Sequence, residues 1–228
     1  YACDLGGYVY KSTNSGVNWT AMTGSGARDW VGLACNSDGS IVVANSSDDG
    51  LYRSTNSGTD WTLISLALKN GTYGHTVEGK STIYVNSADS NKAYKSIDSG
   101  ASFNQIVPLG TASYSQLTCS DDGRVIVAPL QGGNVYVSTD YGASFTATLT
   151  SVGNRAWYGS CCSANGGVIG VYANSSFLPY FYLSSNYGVT WVQQPISNGS
   201  WSAMDISADG TKAVICANGG PIYTGAYY

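Results

Sequence analysis

Five near copies of one eight-residue stretch constrain this chain more than anything else in it. STNSGVNW (Ser12–Trp19), STNSGTDW (Ser54–Trp61), SIDSGASF (Ser96–Phe103), STDYGASF (Ser138–Phe145) and SSNYGVTW (Ser184–Trp191) start 42, 42, 42 and 46 residues apart. A steady spacing near 42 demands a fold made of equal parts, and it matches a four-stranded β-propeller blade. The segments between copies agree. A short alternating strand precedes each copy (YVYKS, LYRS, AYKS, VYVS, FYLS), and another follows, as in NWTAM and DWTLI. A third comes later in WVGLAC, YSQLTC, WYGSCC and WSAMDI. After a turn such as NSDG, SDDG, SANG or SADG, a fourth follows in SIVVAN, RVIVAP, VIGVYA and KAVICA. Period-two alternation with Gly, Asp and Asn turns reads as strand-turn-strand throughout, and no ten-residue window carries a helical period.

The pattern S-x-[DN]-x-G followed three residues later by Trp or Phe resembles the Asp-box, or BNR repeat, of sialidases and related propellers. The resemblance runs along nearly the whole chain. It implies an all-β propeller with the box on the turn between the third and fourth strands of each blade. Asn14, Asn56, Asp98, Asp140 and Asn186 are then acceptors for backbone N–H groups of the turn, and the box glycines take positive φ. Trp19, Trp61, Phe103, Phe145 and Trp191 are expected to plug the space between sheets. Asn replaces Asp in three of the five boxes, which keeps the acceptor and removes the charge.

The sequence reads as one propeller domain over residues 1–228, with repeat units near 8–50, 51–92, 93–134, 135–180, 181–221 and a partial 222–228. GPIYTG near the C-terminus repeats the pattern of GGYVYKS near the N-terminus. Six blades give every visible strand a place and are favoured over five, with the first blade short of its inner strand and the last short of its outer one. Two readings of that frayed seam stay open: head-to-tail assembly with another copy by strand addition, or a chain given without all its residues.

Composition narrows the function classes. With 228 residues, 43% of them hydrophobic and 11% charged, a sizeable core is within reach. A net charge of −4 argues against a nucleic-acid partner. No apolar run is long enough for a transmembrane helix. Six cysteines, few lysines and five N-x-[ST] sequons at Asn18, Asn45, Asn70, Asn174 and Asn198 point to a secreted glycoprotein, with a start at Tyr1 fitting a processed product. Strand parity lets Cys119 face Cys161 across neighbouring inner strands, and Cys3 with Cys216 would staple the seam; buried free thiols are the other reading.

Candidate chemistry lies where inner strands begin. Trp30, Tyr114, Trp157 and Trp201 align there, with Tyr73 one place off, and Arg28, Asp29, His75, Arg155 and Asn198 stand near them in sequence. Aromatics at a channel mouth suit a glycan-binding platform, while the same residues can equally cap the inner barrel. The sialidase resemblance covers the scaffold and not the catalytic set, since the chain has four arginines and one glutamate, Glu78. Asp29, Glu78 and Asp205 lie in three different units and form no recognisable glycosidase pair. The Asp48–Asp49 and Asp121–Asp122 pairs read as solvated turns rather than a metal site. Nothing calls for a cofactor. The expectation is a non-enzymatic extracellular module that recognises glycans or other copies of itself, with glycoside hydrolysis as the alternative.

Overall fold

The computed structural model describes residues 1–36, 38–68, 82–87, 90–173, 180–195 and 200–226, and the backbone of 74–76. It is all-β, with no α-helix among the described residues. The chain divides into two compact units, Tyr1–Thr111 and Ala112–Tyr228.

The first unit holds three antiparallel sheets. The first joins β1 (Ala2–Cys3), β2 (Val9–Lys11) and β3 (Thr20–Met22). The second runs in order through β4 (Trp30–Cys35), β5 (Val42–Ser46), β6 (Gly50–Ser54) and β7 (Thr62–Ser65). The third has β8 (Gly74–Thr76), β9 (Ile83–Ser87), β10 (Lys92–Ser96) and β11 (Asn104–Gln105).

The second unit repeats the plan. Its first sheet joins β12 (Thr118–Cys119) and β13 (Ile126–Pro129) to β15 (Val135–Ser138) and β16 (Thr146–Thr148), while β14 (Gln131–Gly133) leaves this hairpin. β14 instead adds to the inner edge of the next sheet, beside β17 (Arg155–Cys162), β18 (Ile169–Ala173), β19 (Tyr180–Ser184) and β20 (Val192–Gln193). The last sheet joins β21 (Trp201–Ile206), β22 (Lys212–Ala217) and β23 (Ile222–Ala226). Six sheets therefore stand among the described residues. Among these residues, as expected, the first has no inner strand and the last no outer one.

Hydrophobic packing explains the order. The cores lie between successive sheets: Ala34, Val43 and Leu51 of the second meet Ile83 and Val85 of the third, and Val127, Val135 and Val137 of the fourth meet Ile169 and Val171 of the fifth. A strand packed on both faces has no polar side to show. β5, β9, β13 and β18 are buried at every residue, and the first three residues of three of them are apolar or nearly so: VVA, IYV and IVA.

All five eight-residue motifs occupy the turn from a third to a fourth strand. In each, the leading Ser accepts from the Gly backbone N–H and donates to the Asn or Asp side chain, as in Ser54 with Gly58 (2.9 Å) and Asn56 (3.0 Å). That side chain accepts from a backbone N–H four residues on: Asn18, Asp60, Ser102, Ser144 and Thr190 donate to Asn14, Asn56, Asp98, Asp140 and Asn186 at 2.9–3.0 Å. The glycines sit at φ between 78° and 85°. Their predecessors Ser15, Ser57, Ser99, Tyr141 and Tyr187 also take positive φ, at 56–61°, which sequence reading did not foresee.

The plug expectation needs correcting. Trp61, Phe103 and Trp191 pack half-buried against cores. Trp19 is 47% exposed, because its motif has no preceding sheet within the first unit to lie on. Its indole N–H still donates to Gly16 O at 3.0 Å, as Trp61 does to Gly58 and Trp191 to Gly188. The ring thus braces the turn before it plugs anything.

Candidate functional site

The aromatic residues nominated as a sugar-stacking platform are buried. Trp30, Trp157, Trp201 and Tyr114 each meet, near edge-on, a tyrosine from the third strand of their own sheet: Tyr52, Tyr182, Tyr223 and Tyr136, with centroids 5.4–6.4 Å apart and rings 68–80° to each other. Such pairs add about 0.5–1.5 kcal/mol beyond area burial. With Trp157 at 0% exposure, no ring face remains for a sugar. Repetition placed these residues at one structural position, and that position is core. Tyr73 and Asn198 lie outside the described residues, as do Glu78, Asn70 and Asn174; His75 is described by its backbone only.

A β-bulge follows each inner-strand tryptophan, between Trp30 and Gly32, Trp157 and Gly159, and Trp201 and Ala203. The extra residue leaves the ladder and turns outward. In the fifth sheet that residue is Tyr158, 46% exposed. Of the Trp157–Tyr158 pair, the exposed aromatic is thus the one sequence reading passed over. Only the bulge could have revealed it, since strict alternation puts Tyr158 on an ordinary strand face.

Arg155 opens the same strand. Its backbone pairs with Gly133 on β14, and the Trp157 indole donates to Gly133 O at 2.9 Å. A Cβ at Gly133 would press on the Leu130 side chain, which would have to shift. The Arg155 guanidinium lies 3.7 Å from the Tyr180 ring centroid, and Tyr180 stacks on Tyr182 at 6.3 Å. Tyr182 donates to Gln193 at 3.3 Å. Burial raises the Tyr182 phenol above its ordinary range, and Arg155 pulls the other way. The result is a half-buried, rigidly held cation with tyrosines and amides around it. No group of three or more His, Cys, Asp or Glu among the described residues is placed to hold a metal ion.

Three carboxylates elsewhere are committed to turns. Serine hydroxyls and backbone N–H groups hold Asp98 and Asp140 down to about 2, with the side chains of Ser102 and Ser144 the largest influence. Asp209 is likewise held to about 2, first by Ser207. Asp49 pairs with Arg28 Nε at 3.1 Å.

Two further expectations fall to strand parity and burial. No disulfide joins any of the six cysteines. Thr118 and Cys162 approach to 3.9 Å across neighbouring inner strands, so Cys119, one residue on, points the other way. Cys161 packs with Met204 and Ile206 of the last sheet, which removes the Cys119–Cys161 bridge. Cys216 lies against Ala203 O at 3.5 Å, and Cys3 packs beside Val9 and Trp30, so neither pairs with the other. Among the sequons, Asn18 is exposed, whereas buried Asn45 spends its amide N–H on Leu68 O and has no room for a glycan.

No family model matches the sequence, and no curated protein matches it. Solved structures do. An ancestral GH74 enzyme aligns over 98% of this chain and 34% of its own, at 15% identity and TM-score 0.76. The GH74 enzyme of Niastella koreensis aligns over 94% and 40%, at 21% identity and TM-score 0.73. YCF48 bound to D1 peptide aligns over 86% and 64%, at 15% identity and TM-score 0.61. The chain therefore spans well under half the length of the two GH74 enzymes. What it shares with all three, at these identities, is the β-propeller fold.

Proposed function

We propose that this chain is a non-catalytic recognition and assembly module on an Asp-box-like propeller scaffold, whose partner is a second copy of itself. One observation carries the reading. The last sheet presents an open face: Ile222 is 70% exposed, and Asp205, Lys212, Val214 and Thr224 line a concavity of about 440 Å³. β23 pairs with β22 alone among the described residues. Asp205 and Lys212 lie on that same face with opposite charges. A two-fold-related copy can therefore lay the same face against this one, its Lys212 toward Asp205 and its Asp205 toward Lys212.

The burial of the tryptophans moves weight away from the aromatic glycan platform. Commitment of Asp98, Asp140 and Asp209 to turns supports a scaffold without general acid–base chemistry. A secreted, glycosylated protein remains our reading of its composition, with Asn18 as its accessible sequon. No helix among the described residues is long and apolar enough to cross a membrane.

Light scattering across a hundredfold concentration range is expected to show a dimer that Ile222→Lys converts to monomer. A strict monomer at all concentrations would falsify the assembly. Glycoside hydrolysis is the alternative that the GH74 likeness favours. Release of reducing sugar from xyloglucan or chromogenic glycosides by the purified chain would establish it.

A further inference from the structure

Two arginines occupy one position of the repeat. Arg28 and Arg155 each stand two residues ahead of a buried tryptophan. Each pairs through its backbone with the second glycine of a Gly-Gly turn, Gly7 and Gly133. Each lays its guanidinium on a third-strand tyrosine, 4.5 Å from the Tyr52 centroid and 3.7 Å from that of Tyr180. They differ in what neutralises them. Arg28 has Asp49 at 3.1 Å and donates to Ser25 O at 2.7 Å. Arg155 forms no ion pair among the described residues; its partners are the Tyr180 ring and the Tyr182 phenol. Residues 174–179, the sequence ahead of Tyr180, read NSSFLP and contain no acid, whereas Asp48 and Asp49 precede Gly50 at the matching place.

We propose that Arg155 is a ligand-binding residue that takes the carboxylate of a uronic-acid saccharide, the external group standing where Asp49 stands beside Arg28. A guanidinium already fixed on an aromatic ring loses little freedom on pairing, and its planar fork suits a carboxylate. The surroundings select a sugar. Gln131, exposed on β14, pairs through its backbone with Ala156, next to Arg155, and Gln193 meets the Tyr182 hydroxyl. Amides and phenols match sugar hydroxyls, and no exposed aliphatic side chain lies among Arg155's partners in the described residues. A chain of net charge −4 with one such cation favours a ligand of one carboxylate over a polyanion. This site is independent of the dimer proposed above and stands or falls separately.

The test is a solution NMR titration of the full chain with D-glucuronate and D-galacturonate, set against glucose, galactose and an N-acetyl dipeptide carboxylate. The uronates are expected to bind saturably and at least tenfold more tightly than the neutral sugars. Arg155→Gln is expected to lose at least tenfold, and Arg155→Lys, which keeps the charge above Tyr180, less. Arg28→Gln should leave uronate binding unchanged. No saturable uronate binding, equal binding of glucose, or unchanged affinity in a folded Arg155→Gln variant overturns the proposal. Tighter binding of the dipeptide than of either uronate overturns the saccharide assignment.

Discussion

The second and fifth sheets are built from the same parts and finished differently. Both have a bulged inner strand, a buried tryptophan edge-on to a tyrosine, an arginine two residues earlier and an Asn-containing turn motif. In the second sheet the arginine is neutralised by Asp49, and the bulged residue is Val31. In the fifth, Arg155 has no ion pair among the described residues and lies on the Tyr180 ring, and the bulge turns out Tyr158. What the repeats share is therefore backbone geometry and core. What they withhold from one another is surface chemistry, and that is where a ligand can be told apart from water.

The comparison can be broken at its common part first. Trp157→Ala and Trp30→Ala each empty a fully buried site, and each is expected to lower unfolding free energy by about 3–5 kcal/mol in denaturant titrations. A loss under 1 kcal/mol would mean that the aromatic pair is not the core of its sheet. The turn comes next. Ser54→Ala and Ser184→Ala remove a buried hydroxyl that serves two backbone donors and one side chain, at an expected cost of about 1–3 kcal/mol each. The two costs should agree closely, since the two turns are the same device.

Acid separates turns with Asp from those with Asn. The folded values near 2 for Asp98, Asp140 and Asp209 lie below the ordinary 3.8, so their stabilisation is fully present above about pH 4 and is lost as pH falls toward 2. The melting temperature is expected to fall through that window. Replacing Asp98 and Asp140 with the Asn found in the second and fifth sheets should flatten the fall; an unchanged profile would assign the acid sensitivity elsewhere. The smallest effect concerns thiols. Burial pushes Cys162 up to about 12 and raises Cys161 as well. Neither is expected to react with iodoacetamide at pH 8 until the chain unfolds, which peptide mapping reads directly.

Sequence reading succeeded where a rule repeats and failed where a rule is local. The period, the strand pattern and the turn chemistry of Ser12–Trp19 and its copies were legible because backbone geometry dictates them at every occurrence. The aromatic alignment was legible too, but its meaning was not. Trp157 and Tyr158 are neighbours of similar size, and a single bulge decides which one is core. The cysteines show the same limit: parity counted along one strand does not say which neighbour that face meets. The period also leaves blade phase open, so units counted from the turn motif straddle the sheets that form.

By itself, then, the sequence determined an all-β chain of blade-like repeats and the turn that joins third to fourth strands, because period-two burial and positive-φ glycines leave few other folds; it favoured six blades over five without deciding between them. Tertiary structure decided which aromatics are buried, which thiols face which sheet, and that Arg28 meets a carboxylate while Arg155 meets none among the described residues. Those outcomes depend on bulges and on the packing of one sheet against the next, where residues distant in the chain come within a few ångströms of each other.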